Sequence, residues 1–214
     1  MNNIKEKIIK SLEWRYATKV FDAGKIVSED NINTILQAAR LSPSSVGLEM
    51  WKFIVVKNSE IRNKIKEASY GQPQITDASH LVILTCRTDA EVSSKKERLE
   101  RTSKIENINE DKLTGLKEMI ENTINMKLSN GSLNSWIQSQ VYIPLGIMIE
   151  TAALLEIDTC PMEGFQPDKI DEILNLKEKN LKSVAMITIG YRGSDPTSSR
   201  PKVRRDFNDV IEFI

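Results

Sequence analysis

The chain of 214 residues is short of the groups that enzymes use most, with one histidine, two cysteines and nine glycines. It also lacks an excess of either charge, because 30 lysines and arginines meet 30 aspartates and glutamates. A general nucleic-acid binder or a membrane-surface protein carries a basic excess, so neither is expected. Cys86 and Cys160 form no C-x-x-C, which excludes a zinc ribbon and a thioredoxin-type pair. Met1-Asn2-Asn3-Ile4-Lys5 starts no signal-peptide pattern, so the expected compartment is the reducing cytoplasm, although spacing alone leaves a disulfide open. His80 stands at the mouth of the apolar run Leu81-Val82-Ile83-Leu84, where a lone histidine is more often a satisfied structural group than a base. No G-x-S-x-G, G-x-x-x-x-G-K-[ST] or G-x-G-x-x-G occurs, so hydrolase, P-loop and Rossmann chemistry have no motif to stand on. The longest apolar stretch, Val141 to Ile149, is broken by Pro144 and falls short of the roughly 20 residues of a membrane span. Any redox or transfer chemistry here must be borrowed from a cofactor.

What is present is an ordinary globular balance, 40% apolar and 28% charged, in a length that suits one domain over residues 1–214. Ile4, Ile8, Ile9 and Leu12 recur at helical spacing. Ser28-Glu29-Asp30 reads as a cap with two acids at the positive end of a helix, which Ser42-Pro43 stops. Trp51 to Val56 and Leu81 to Thr85 read as strands, with a helix from Asn58 or Ser59 to Glu67 between them. Residues 89–112 are strongly polar with mixed charge and read as a solvated helix or loop. A long core helix, kinked at Pro144, is expected from Leu133 to Leu155, then a short strand, a helix and a central strand over Lys182 to Ile189. On that last strand Val184, Met186 and Thr188 share one face, and Ala185, Ile187 and Ile189 the other. The fold class is therefore mixed α/β, or α+β, with one sheet between helical layers. Residues 195–214 are broken by Pro196 and Pro201 yet end on the apolar Phe207 to Ile214, which reads as an arm packing on something, such as an edge strand of another subunit.

Four segments carry chemistry-bearing residues: Arg15-Tyr16-Ala17-Thr18-Lys19, Ser42-Pro43-Ser44-Ser45, Pro161-Met162-Glu163-Gly164-Phe165 and Arg200-Pro201-Lys202-Val203-Arg204-Arg205. Each has a plain reading alone: a helix-end charge, a turn, a loop, a solvated basic tail. Taken in order they form a longer pattern. It runs Arg15-x-x-x-Lys19-x-Phe21-Asp22, Ala38-x-x-x-Ser42-Pro43-Ser44-Ser45 with Trp51-x-Phe53, Asp77-Ala78-Ser79-His80, Pro161-x-Glu163-Gly164-Phe165, and Gly190-Tyr191-Arg192 leading to Pro201-Lys202-x-Arg204. On these residues the chain resembles the FMN-dependent nitroreductase family over essentially its whole length. Within the family it is most similar to the oxygen-insensitive nitroreductase and dihydropteridine-reductase branch.

The resemblance implies a nitroreductase-like fold with a central, mostly antiparallel sheet flanked by helices. It also implies a homodimer whose C-terminal arm is exchanged with the partner. It implies FMN as cofactor and NAD(P)H as reductant, with two-electron reduction of a nitroaromatic, quinone or similar acceptor by a ping-pong cycle. Other flavin chemistry on the same fold (a dehalogenase or dehydrogenase) and a non-catalytic flavin-binding protein are the alternatives. By resemblance Arg15, Lys202 and Arg204 take the phosphate, to which guanidinium forks and an ammonium are suited. Lys19 falls beside flavin N1 and O2, where a fixed cation stabilises the reduced ring. Tyr16, Ala17, Pro161, Met162, Glu163 and Gly164 fall in the segments along the ring, and Pro43, Ser44 and Ser45 in the loop that reaches the flavin of the second subunit. No side chain of the protein is assigned the chemical step itself. Two departures stand out: Ala17 replaces a polar residue, and Gly71 aligns with an asparagine at the pyrimidine edge, for which Gln72 or Gln74 is the expected substitute. The run Val46-Gly47-Leu48-Glu49-Met50 also differs from the family's pattern beside the substrate pocket.

Overall fold

Local signals decide most of the elements in this computed structural model, which describes residues 3–214. Asn3 caps α1 (Ile4–Trp14) and Ser28 caps α2 (Glu29–Arg40), its side chain accepting the Asn31 N–H at 3.2 Å. Strand β1 (Trp51–Val55) is followed by α3 (Ser59–Glu67), capped by Asn58, and by the single turn α4 (Gln74–Asp77). Then come β2 (His80–Arg87), α5 (Ala90–Glu106), α6 (Thr114–Ser129) and α7 (Leu133–Leu154). The chain closes with β3 (Asp158–Met162), α8 (Pro167–Ile173), β4 (Leu181–Gly190) and the turn α9 (Phe207–Val210). Pro144 lies inside α7, which continues through it as one helix. Among the described residues no helix is long and apolar enough to cross a membrane.

The four strands form one sheet in the order β1-β2-β4-β3, and every pairing is antiparallel. Its two inner strands are apolar on both faces because helices cover both faces. Val82, Leu84, Ala185 and Ile187 pack with Ile35 of α2 and Met148 of α7 on one side. Leu81, Ile83 and Met186 pack with Ile65 of α3 and Ile170 of α8 on the other. The strict alternation expected of β4 breaks at one point. Leu84 pairs with Ala185 and Thr85 with Ser183, so Val184 is the extra residue of a bulge and joins the cluster of Ala185 instead of that of Met186.

One other expectation needs correction, and two features add to the pattern read above. The polar segment 89–112 is a helix that buries Ala90, Ser94, Leu99 and Thr102, so it is half-embedded, and α6 follows it without any signal in the pattern read above. The apolar stripe of α1 is real but uncovered: Ser11 is its one buried residue, while Ile4, Ile8, Ile9 and Leu12 face outward. Among the described residues the C-terminal arm joins no strand of this chain. It forms the α9 turn and then extended chain, with Phe207 and Phe213 stacked on each other at 6.4 Å and both exposed.

Candidate functional site

The segment after α1 turns away from helical geometry at Arg15 and runs alongside β3, where Ala17 bridges Thr159 and the Thr18 N–H donates to Thr159 O at 3.2 Å. That pairing sets Ala17 against Thr159 and the Lys19 side chain beside Cys160. A buried carboxylate fixes it from the other side. Asp195 accepts the Lys19 N–H at 3.0 Å, the Tyr16 hydroxyl at 3.0 Å, and both the N–H and hydroxyl of Thr197. Burial alone would raise the Asp195 pKa; the bonds from Thr197, Lys19 and Tyr16 outweigh it and hold the carboxyl well below the usual range. One step away Asp158 takes the Arg192 guanidinium at 2.6 Å, while that group lies over the rings of Trp14 and Tyr16.

The C-terminal segment then returns to this place. Lys202 Nζ bonds the Arg15 carbonyl oxygen, 187 positions away in sequence. Burial lowers the Lys202 pKa, and Arg15, Arg204 and Arg192 lower it further; burial and then Arg204 lower that of Arg15. Arg15, Lys202 and Arg204 are thus close enough to repel one another. None has a carboxylate within salt-bridge distance among the described residues, and Arg15 Nε is buried with no acceptor. Concentrated, partly desolvated positive charge of this kind is costly unless an anion completes it.

Beside the cations lies a polar rim. The Lys19 ammonium donates toward Cys160 Sγ at 3.5 Å, and the Cys160 thiol, raised in pKa mainly by burial, feels Lys19, Gln74 and Arg15 in the opposite sense. Gln74 donates to Gln72 Oε1 at 3.1 Å, and Gln72 Nε2 donates to the carbonyls of Ser69 and Gly164 at 3.0 and 2.7 Å. Gln72 is therefore spent on the Gly164 turn, while no group of the described residues donates to Gln74 Oε1. Glu163 accepts the Tyr142 hydroxyl at 2.7 Å, which anchors the same turn to α7. Burial and this bond push Tyr142 up to about 12.

The structure thus joins Arg15, Tyr16, Ala17, Lys19, Gln72, Gln74, Pro161, Met162, Glu163, Gly164, Lys202 and Arg204 along β3 and the segments packed against it. Pro43, Ser44 and Ser45 stand apart from them. Ser45 N–H donates to Gln140 of α7 at 2.8 Å and Ser44 accepts the Glu49 N–H at 2.9 Å, and neither touches that rim. Sequence reading missed Asp195, Gln140 and Tyr142 as the groups that hold the segments in place. Asp195-Pro196-Thr197 carries the mark of an Asx-type turn, a signal that was available. His80 is structural: it is buried, burial lowers its pKa, and it bonds the Ser79 hydroxyl at 2.9 Å. Both cysteines are free and buried.

Comparison with known proteins bears on the family and the fold. The nitroreductase family model matches residues 12–191. The Bacillus subtilis protein named "Putative NAD(P)H nitroreductase YfkO" is 37% identical over 100% of both chains. Among solved structures, a nitroreductase-like protein of Streptococcus mutans superposes with a TM-score of 0.85 at 20% identity, over 98% of this chain and 99% of that one. A protein of Exiguobacterium sibiricum solved in complex with FMN gives 0.77 at 20% identity, over 98% and 96%. At that identity the likeness to both structures is one of fold.

Proposed function

This chain belongs to the nitroreductase family, and from that premise we propose that it is an FMN-dependent NAD(P)H oxidoreductase working as a homodimer. The observation that carries the reading is the set of three mutually repelling cations, Arg15, Lys202 and Arg204, with no carboxylate partner and one buried nitrogen without an acceptor among the described residues. A phosphate dianion satisfies all three, and the absence of a Gly-rich dinucleotide turn favours FMN over FAD.

When bound, FMN would supply the redox chemistry, a two-electron transfer from NAD(P)H to a nitroaromatic, quinone or similar acceptor in a ping-pong cycle. The residues do the rest. Arg15, Lys202 and Arg204 hold the phosphate, whose charge does not change in turnover. Lys19, with no carboxylate partner in the described residues, would set a positive charge at the ring end of the site, and Asp195 fixes its backbone. The Gln72 amide and Tyr142 keep the Glu163-Gly164 turn in one conformation, so its backbone would meet the ring without reorganising. Pro43, Ser44 and Ser45, which touch none of these groups, serve the site of the second subunit, and the cytoplasm is the compartment that fits.

The test is direct. The purified protein should be yellow, its heat-released flavin should be FMN, and NAD(P)H oxidation should be driven by menadione. FAD in the released fraction, or a colourless protein that FMN cannot reconstitute, would overturn the reading; bound FMN without turnover would leave a flavin-binding protein.

A further inference from the structure

The two thiols of the chain have different surroundings. Cys86 packs in the apolar cluster of Met148 and Ala185. Cys160, fully buried in the middle of β3, has no part in the chemistry proposed above, yet it stands where segments of the candidate site converge. Strand β3 lies at the end of the sheet: one edge pairs with β4, Cys160 opposite Thr188, and the other edge takes the Ala17–Thr18 segment. The alternation of the strand puts the Cys160 side chain on the face of Met162, in the cluster that holds Ile75 of α4. The Lys19 ammonium reaches Sγ at 3.5 Å, and Gln74 and Arg15 also bear on the sulfur.

The direction of these contacts is set. The thiol donates toward the Pro161 carbonyl oxygen at 3.7 Å, which leaves the sulfur lone pairs to accept from Lys19. Burial pushes the thiol pKa up, so the sulfur is neutral at pH 7. A neutral acceptor gives an ammonium a direction without cancelling its charge, whereas a carboxylate in the same place would do both. Lys19 is otherwise exposed, and its ammonium finds no other acceptor among the described residues. A lysine head without a fixed partner averages over many rotamers, and its field at any one point is diluted accordingly.

We propose that Cys160 is a positioning residue whose thiol holds the Lys19 ammonium at the ring end of the site as a directed, uncancelled positive charge. The inference rests on the reading that Lys19 faces the flavin ring. A cation held there favours the reduced over the oxidised ring, so the thiol acts on the flavin potential through Lys19 and touches no reacting atom itself.

The experiment equilibrates FMN-loaded wild type, Cys160→Ala, Cys160→Ser, Lys19→Ala and the Lys19→Ala/Cys160→Ala double variant with a reference dye of known potential, without oxygen. Cys160→Ala should lower the equilibrium constant for flavin reduction about fivefold, or about 20 mV for a two-electron couple. Cys160→Ser, whose hydroxyl still accepts from the ammonium, should stay within about twofold of wild type on the same scale. In the Lys19→Ala background the Cys160→Ala effect should vanish, because the ammonium is its only route to the ring. A shifted Lys19→Ala with an unshifted Cys160→Ala would overturn the positioning role and leave the reading of Lys19 standing. An unshifted Lys19→Ala, or a wild type that holds no FMN, would overturn that reading and the inference with it. A Cys160→Ala shift that persists without Lys19, a Cys160→Ser as shifted as Cys160→Ala, or loss of FMN from both Cys160 variants would make the thiol a packing group and refute the proposal.

Discussion

Asp195 shows how one side chain can organise a site it does not enter. Its carboxylate collects the N–H of Lys19, the hydroxyl of Tyr16 and both donors of Thr197. It so joins the Arg15–Lys19 segment to the stretch leading to Lys202. Replacing Asp195 by Ala strands these donors at a buried position and should cost about 2–3 kcal/mol, read as a shift in the denaturant midpoint. FMN retention should fall with it, because Lys19 and Lys202 lose their common anchor. The pH dependence has a definite sign. The folded carboxyl titrates below its unfolded value, so its contribution is present above the ordinary carboxylate range and disappears as pH falls towards the lowered value. Acid unfolding of Asp195→Asn should therefore be flatter than that of wild type; identical acid profiles would show that the carboxylate is not stabilising. The two lysines should separate by role. Lys19→Ala is expected to lower the flavin potential and slow hydride transfer, whereas Lys202→Ala is expected to weaken FMN binding and leave the potential near wild type. Equal loss of cofactor in both, with unchanged potentials after reconstitution, would reject that division.

At the scale of elements, caps and periodicity were legible and contacts across the sheet were not. Ser28, Asn58 and the apolar run from Leu81 announced α2, α3 and β2 because each signal acts within a few residues of itself. The bulge at Val184 and the buried face of α5 were hidden, since both depend on what lies opposite. Gly190 illustrates the same limit. It ends β4 with a Cβ position 2.8 Å from the Phe21 ring and 3.1 Å from the Ser79 nitrogen, an approach no local pattern reveals. Gly190→Ala should force Phe21 aside and cost about 1–3 kcal/mol by overpacking, measured as a fall in Tm. An unchanged Tm would mean that the Phe21 segment moves freely, in conflict with the bond from Asp22 N–H to the Tyr191 carbonyl at 2.8 Å.

For the whole molecule the unfinished surfaces matter most. The outward stripe of α1, Tyr142 and Ile143 on α7, and the exposed phenylalanines of the arm are apolar groups that this chain does not cover. A second copy would cover them and bring Ser44 and Ser45 to a site that one chain leaves open, which is the arrangement proposed above. Deleting residues 207–214 removes none of the three phosphate-holding cations, yet it should abolish dimerisation and FMN retention together. Obligate dimers with large apolar interfaces have no stable folded monomer. Sedimentation of the truncated protein as an FMN-bound dimer, or of the full-length protein as an active monomer, would refute the arrangement.

The sequence by itself determined the family, the helical caps and the two-faced strands, because each is recorded in residues close together or in the order of short motifs. Only the tertiary structure decided which groups of the candidate site meet. It set Lys202 on Arg15, 187 positions earlier, committed Gln72 to Gly164, and separated Ser44 and Ser45 from the cations. Those outcomes depend on strand order, on one bulge and on the buried carboxylates Asp158 and Asp195, whose hydrogen bonds act across the fold at ranges that no local pattern encodes.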